Sequence, residues 1–542
     1  MNYNKNRYMN KILFTLVVLS LGYTACKKSD FSDAYSDPSK VSETSVEKQF
    51  AGFIYSNKDY VVPSYWNYFV VLRPTVNRYT QVTGWENASG QYVPGGGLIT
   101  DRWNNYYAFL AQYRELEKVY TKLSTDDQAA RRIFMIAATI YFYDHTEKVV
   151  DLHGDIPWSQ AGKLSTNGGA YSTSYPAYDK ASDIYTKMLD DLKGFSDELN
   201  SITVGAAIQT GFKNQDIINQ GNLTLWKKYT NSLRIRMLSR VSGVAAFTSR
   251  ASSEIAAILA SPSKYPIVST NADNIQIEVY PVVDAGNTIP NKYINATGFQ
   301  SGLEDWNGNI AGKVMIDHMN TYSDPRLQVM FEPGANAAGV YKGLDPTLTA
   351  ATQNSLISGG TISIYNRSTF SRNDYFPGVL INAAEISFLL AEYYLKAGSA
   401  SAAQTAYETG IAQSIEYYYL LRSVTNDNTA GTVTAPTSAA ITAYIASAGV
   451  SWAAASTTTA KLKLIATQKW INYSIVQPLE GWAEMKRLDA PTFTFWNDDA
   501  NAQKQPPYRY VYPSSEATYN TVNYQSVKSG DNLTTKLFWD IN

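Results

Sequence analysis

Apolar residues recur every three or four positions over stretches of twenty residues and more, and this recurrence limits what the chain can become more than any other feature. In the stretch 101–123, Trp103, Tyr106, Tyr107, Leu110 and Tyr113 fall at that spacing, and Leu116, Val119, Tyr120 and Leu123 continue the stripe. A helix brings residues three and four apart onto one face, so the stripe predicts a helix with one buried side and Asp101 as its cap. Residues 127–148 predict a second helix, with Ile133, Ile136, Ala137 and Ile140 inward. A third runs through Ala181, Ile184, Tyr185, Met188, Leu189 and Leu192, with Gly194 placed to stop it. Further helical segments are expected at 223–244, 312–322, 382–397, 400–421 and 462–475. Gly398 and Ser399 join two of these into a short helical hairpin of the sort that stacks in solenoids, although no repeat of fixed period is present. The expected fold class is mostly α.

Long connections rich in Gly, Pro, Asn and Tyr separate the helices at 74–100, 162–177, 265–311 and 331–376. Loops of that length are functional or disordered, and their aromatics argue against disorder. The stretch 424–460 is almost all Ala, Thr and Ser and reads as a weak helix with a mobile loop. The tail 506–542 is rich in aromatics and is expected to pack back on the body.

The start of the chain concerns its destination. Lys5, Arg7 and Lys11 precede an apolar run at 12–21. At about 1.5 Å of rise per residue the run covers about half of a hydrocarbon core of about 30 Å, too short to span it. A basic start, a short apolar core and small residues make a secretory signal. The small residues are Thr24 and Ala25, directly before Cys26, the only cysteine in the chain. Residues 1–25 therefore read as a lipoprotein signal peptide, and 26–45 as a lipidated Cys26 with a flexible polar tether. Residues 46–542 are left as a single helical domain. The alternative, an ordinary signal peptide with a stray cysteine, is weaker because an oxidising compartment favours paired cysteines. Each buried acyl CH₂ contributes about 0.8 kcal/mol, so two chains hold a protein on a membrane.

The net charge is −1, and removing the signal peptide strips only positive charge. No basic excess remains to meet phosphates, which argues against nucleic acid as partner. The chain carries 41 tyrosines and 11 tryptophans, side chains that suit wet binding surfaces as well as cores.

Nothing positive points to catalysis. The three histidines, His145, His153 and His318, lie in helical segments or beside them and read as core or cap residues. With Cys26 lipidated there is no Cys–His pair. Gly95-Gly96-Gly97 lacks the Lys-Ser/Thr of a phosphate loop, and no metal-ligand spacing is present. Neither cofactor nor metal is expected. A carboxylate pair for glycoside hydrolysis stays open, because such pairing is spatial.

Eight segments taken together resemble one family. They are VVDLHGDIPWSQA (149–161), LWKKYTNSLRIRMLSR (225–240), SDPRL (323–327), AEISFLLAEYYLKAG (384–398), YETGIAQSI (407–415), IATQKWI (465–471), YRYVYPSSE (508–516) and KLFWD (536–540). In this order they are similar to the SusD/RagB nutrient-binding lipoproteins of Bacteroidetes. Each also has a physical reading: Gly154 and Pro157 set a tight turn, Asp324-Pro325 separates two segments, and Arg234 and Arg236 on an apolar helix call for buried carboxylates. The resemblance implies a SusD-like helical body with stacked tetratricopeptide-like helix pairs and loop excursions that form the ligand face. It also implies display on the outer membrane as a lid over a SusC-like TonB-dependent transporter, holding glycans or, in some branches, peptides.

Two loop regions match excursions that supply ligand contacts in that family. One contains Trp66, Tyr79 and Trp85, with Arg78 and Asn77 as polar neighbours; the other contains Phe299, Asp305, Trp306 and Asn307. Any one of these rings could instead fill a gap under a long loop. Trp306, flanked by Gly, Asp and Asn with no apolar periodicity, reads as functional, whereas Trp66 and Tyr79 read more readily as packing. An aromatic ring covering about 50 Å² of a sugar face contributes on the order of 1 kcal/mol. Two or three rings with a few hydrogen bonds give a Kd of order 10⁻³ to 10⁻⁵ M, a hold weak enough to release cargo. An oligosaccharide is the expected ligand. The alternatives are a RagB-like peptide binder and a surface-anchored glycoside hydrolase.

Overall fold

Helices carry the architecture of the computed structural model, which describes residues 44–279 and 298–542. The signal peptide, Cys26, nearly all of the tether and residues 280–297 of the long excursion lie outside the described residues. The principal helices are α1 (Val46–Ser56), α2 (Gly96–Thr121), α3 (Arg132–His153), α4 (Ala181–Ser201), α5 (Leu223–Val241), α6 (Ala245–Ala260), α7 (Lys313–Tyr322), α8 (Ala383–Lys396), α9 (Ala400–Ser423), α10 (Thr458–Tyr473) and α11 (Pro478–Leu488). Three two-stranded antiparallel pairs stitch the connections: Ile156–Pro157 with Tyr178–Asp179, Ile275–Ile277 with Gly378–Ile381, and Phe331–Glu332 with Ile364–Tyr365. Among the described residues no helix is long and apolar enough to cross a membrane.

Each periodic segment forms a helix, and local chemistry sets several of the ends. The Asn222 side chain accepts from the amides of Thr224 and Leu225 to open α5, and Asn382 accepts from Glu385 to open α8. The α8–α9 hairpin turns on Gly398 at φ 78°. Gly410 lets the two helices touch, since a Cβ there would stand 2.6 Å from the Phe388 ring.

Four expectations are corrected. Asp101 does not cap α2, which opens earlier, at Gly96, with Gly95 in the N-cap position. Gly194 does not stop α4, which runs on to Ser201: the glycine faces solvent, where it costs about 1 kcal/mol, while Ser196 and Leu199 beyond it are buried. The stretch 424–460 is anchored, because Tyr444, Val450 and Trp452 fill a small core with Phe388, Tyr407 and Ile411. The connection 331–376 carries a helix of its own, Ala350–Ser358, besides its two strands. The tail does pack back: Trp539 is buried and donates to the Asp151 carboxylate at 2.7 Å.

The helices meet around a buried ionic network. Arg236 holds Glu385 at 2.5 Å and Asp144 at 3.2 Å, and Arg234 holds Glu254 at 2.8 Å. Arg240 binds Asp151, Glu480 at 2.6 Å and Glu484 at 3.1 Å. Glu392 accepts from Arg487 at 2.6 Å and from Lys469 at 2.9 Å. The Arg234–Glu254 pair joins α5 to α6, and the other bonds join α3, α5, α8, α10 and α11 at fixed places along their lengths. Such a network adds little net stability but penalises any packing that leaves a charge unpaired. His145 and His153 lie in the same interior with their ring nitrogens unpartnered, and burial pushes both well below the ordinary histidine range. Burial likewise brings His318 down to about 4. All three are neutral at pH 7.

Candidate ligand-binding site

The first excursion begins with a π-helical turn, Asn67–Leu72. The turn sends Tyr68, Val71 and Leu72 inward, and the Tyr68 hydroxyl donates to the Ile475 carbonyl at 2.5 Å. Its other side carries Tyr65 and Phe69, whose rings stack at 5.0 Å and 14°. One turn further, the Arg73 guanidinium lies 4.5 Å from the Phe69 ring and 5.7 Å from the Trp85 indole. Arg78 approaches Trp85 to 4.9 Å and also donates to the Gln91 side chain and to the Glu86 carbonyl at 3.4 Å. Burial brings both guanidinium groups down to about 10, a shift that Asp305 partly offsets for Arg73, so both stay charged at neutral pH.

The second excursion comes to the same arginine. Gly302 accepts from Arg73 Nη1 at 3.1 Å, and a Cβ on Gly308 would stand 2.3 Å from the guanidinium. Between these glycines the backbone makes a 3₁₀ turn, Asp305–Asn307, in which Trp306 and Asn307 both take left-handed φ, 57° and 56°. Few non-glycine residues adopt that conformation, and a bulky one does so only where the surroundings impose it. Trp306 ends up 86% exposed. The Gly84 amide donates to the Ile310 carbonyl at 2.7 Å, which ties the segment beyond the turn to the residue preceding Trp85.

The structure thus brings Trp85 and Asp305 to Arg73, sets Arg78 against Trp85, and places Trp306 and Asn307 on the turn between the two glycines that Arg73 touches. Trp66 is 52% exposed beside Tyr65, at the head of the same turn. Tyr79, Asn77 and Phe299 are fully buried and offer no surface to a ligand. Phe299 packs on Tyr68 at 4.6 Å and Phe376 at 5.3 Å. Asn77 uses its backbone carbonyl to close the turn at Val82, and Tyr79 lies on the inner side of the short helix Val76–Tyr79. These three support the site from below.

Tyr65, Phe69 and Arg73 were not singled out from sequence, although their spacing of four was a signal for one helical face.

A larger cleft of about 650 Å³ lies between α2, α3 and α4, with Tyr113, Phe142, Tyr143 and Trp158 at its base and Arg114, Lys118 and Lys187 at its rim. None of the sequence-derived candidates lines it. Among the described residues no group of His, Cys, Asp and Glu is arranged to hold a metal ion.

A family model described as SusD-like, starch-binding and associating with the outer membrane matches residues 68–513. Among solved structures, a SusD-like protein of Bacteroidetes AC2a is 22% identical, with a TM-score of 0.71 over 92% of this chain and 100% of its own. A chitin-binding SusD homolog from Flavobacterium johnsoniae is 22% identical, with a TM-score of 0.68 over 92% of this chain and 99% of its own. A SusD homolog from Bacteroides fragilis is 18% identical, with a TM-score of 0.71 over 92% of this chain and 100% of its own. At these identities the likeness establishes the fold. A comparison with curated proteins returns no match. The family model covers most of the chain, including Trp85 and the second excursion, and the chain belongs to the SusD-like family of non-catalytic, outer-membrane-associated nutrient-binding proteins.

Proposed function

We propose that this protein is a lipoprotein that grips an oligosaccharide on the face formed by Trp306, Trp85 and Tyr65 and passes it to a SusC-like TonB-dependent transporter. Residues 1–25 act as signal peptide, Cys26 carries the lipid, 26–45 form the tether, and 46–542 form the binding domain on the exterior of the outer membrane. The α8–α9 hairpin belongs to a stack of tetratricopeptide-like pairs that carries the ligand face.

One observation carries the reading: Trp306 stands 86% exposed on a turn with two consecutive left-handed residues, and the Arg73 guanidinium packs closely against Gly308 directly after it. Exposing an indole forgoes burial worth about 2 kcal/mol or more, and left-handed φ costs a further 1–3 kcal/mol per residue. Packing gains nothing from the arrangement, whereas a flat ring held out to solvent suits the apolar face of a sugar. Two proteins of this fold are described as chitin-binding, so chitin oligosaccharides belong first in the test panel.

Calorimetry with a panel of oligosaccharides and of peptides tests the proposal. The expected result is millimolar to micromolar binding of one glycan class, lost in Trp306→Ala. Binding of peptides alone would move the protein to the peptide-capturing branch, and release of reducing ends from a glycan would overturn the binding-only reading. Palmitate labelling that requires Cys26 tests the anchor.

A further inference from the structure

We infer that the cleft between α2, α3 and α4 is a second saccharide site, separate from the Trp306 face; the class of ligand rests on the reading of the protein as a glycan binder. Three helix faces with four-residue spacing make its walls: Glu117 and Thr121 on α2, Thr139 and Tyr143 on α3, and Asp191 and Phe195 on α4. The floor is aromatic. Phe142 stacks on Tyr113 at 4.4 Å and 13°, and on Trp158 at 6.5 Å and 10°. The space above these rings, about 650 Å³, falls within the roughly 300–1,000 Å³ of ligand pockets.

The rim decides the chemistry. Arg114 holds Glu117 at 2.7 Å, Lys118 holds Glu115 at 3.4 Å, Arg132 holds Glu198 at 2.7 Å and Lys187 holds Asp191 at 2.7 Å. Lys163, the remaining cation of the rim, donates to Gln160 at 3.1 Å. With its cations matched in this way, the cleft has little net charge to draw a simple ion. It offers carboxylates beside ammonium and guanidinium groups, set above an apolar base. A sugar suits both features: a hydroxyl accepts from a cation and donates to the carboxylate beside it, while the C–H face displaces water from the floor. A lipid tail would instead take those charges out of water without offering them partners.

The outer rim is fixed in advance. Lys163 and Thr166 bring the connection 162–177 to the cleft. That connection is long enough to call for a function and carries none of the residues of the Trp306 face. Arg114 donates to the carbonyls of Ala161 at 3.2 Å and Trp158 at 3.0 Å, and Lys118 reaches Ser165 Oγ at 2.5 Å. The Asp179 carboxylate accepts from the amides of Trp158 at 3.0 Å and Ser159 at 2.8 Å. A rim already held by such bonds loses little freedom when a ligand enters. With two weak sites, the protein holds a glycan long enough to reach both more tightly than it holds a short fragment.

Titration of the mature chain with maltotriose, cellotriose and chitotriose, with saturation-transfer NMR as the readout, tests the assignment. At least one of these sugars should bind wild type in two events. One event should survive Trp306→Ala and weaken at least tenfold in the double variant Glu117→Ala, Asp191→Ala. Wild-type crystals soaked in the same sugar should show it in the cleft, beside Tyr143 and Asp191, and this result decides alone if the double variant fails to fold. A single event that Trp306→Ala abolishes, with no sugar in the cleft, would overturn the inference and leave the Trp306 face standing. A single event lost only in the double variant would support the cleft and remove the Trp306 assignment. Binding of peptides with none of the three sugars, or no binding at all, would overturn both.

Discussion

Arg73 holds its guanidinium 5.7 Å from the indole of Trp85. The same side chain stacks on Phe69 at 4.5 Å and donates to the Gly302 carbonyl at 3.1 Å, so one buried cation joins two excursions more than two hundred residues apart. A buried cation–π contact contributes about 0.5–2 kcal/mol, and a hydrogen bond from a charged group about 1.5–3 kcal/mol. Arg73→Met should therefore weaken ligand binding about tenfold or more by calorimetry, with a fall in Tm. Arg73→Lys should not restore affinity, because a point charge cannot stack on two rings and bond Gly302 together. Full affinity in either variant would remove Arg73 from the site's support.

Tyr79 and Trp306 separate scaffold from surface. Tyr79→Phe deletes a buried hydroxyl that has no partner, so binding and Tm should stay at wild-type values or Tm should rise slightly. Trp306→Ala, at a side chain outside the core, should change stability by no more than about 0.5 kcal/mol while lowering affinity at least tenfold. A paired thermal melt and titration series reads both quantities.

Glu147 makes stability depend on pH. The ionic network links seven carboxylates (Asp144, Glu147, Asp151, Glu385, Glu392, Glu480, Glu484) with six cations (Lys148, Arg236, Arg240, Lys396, Lys469, Arg487). Burial, reinforced by Glu480, raises the Glu147 carboxyl well above the ordinary carboxylate range, and neither of its oxygens finds a hydrogen-bond donor. The folded chain keeps a proton there that the unfolded chain releases above about pH 4.3. The resulting stability is complete below that pH and declines as pH rises, by up to about 1.4 kcal/mol per unit. Glu147→Gln should match wild type near pH 4 and exceed it at pH 8 in denaturant melts. A constant difference across that range would contradict the protonated state.

Arg236 carries the opposite expectation. Replacing it by Leu leaves Glu385 buried without its cation and Asp144 with Lys148 alone, a loss of about 3–5 kcal/mol. The urea midpoint should fall accordingly. The double variant with Glu385→Gln should recover part of the loss, because the orphaned charge is removed.

Much of the fold was legible before any coordinates. The stripe through Trp103, Tyr106 and Leu110 could be buried only on a helix, and the hairpin at Gly398 followed from two such stripes with a two-residue gap. The presence of Arg234 and Arg236 on an apolar helix implied acids opposite them. Which acids those are was decided by packing, since Glu385 lies 149 positions from Arg236. Legibility was poorest at the site. Trp306, Tyr79 and Phe299 are all aromatic residues in long connections, and a loop has no period from which to read an inward side. Tertiary contacts mark the distinction: Arg73 packs against Gly308 at the base of the exposed Trp306 turn, while Tyr68 and Phe376 enclose Phe299. Local sequence determined where helices form, because backbone geometry depends on neighbours three and four residues away. Which loop ring meets the solvent depends on contacts between distant segments, and only the folded chain decides those.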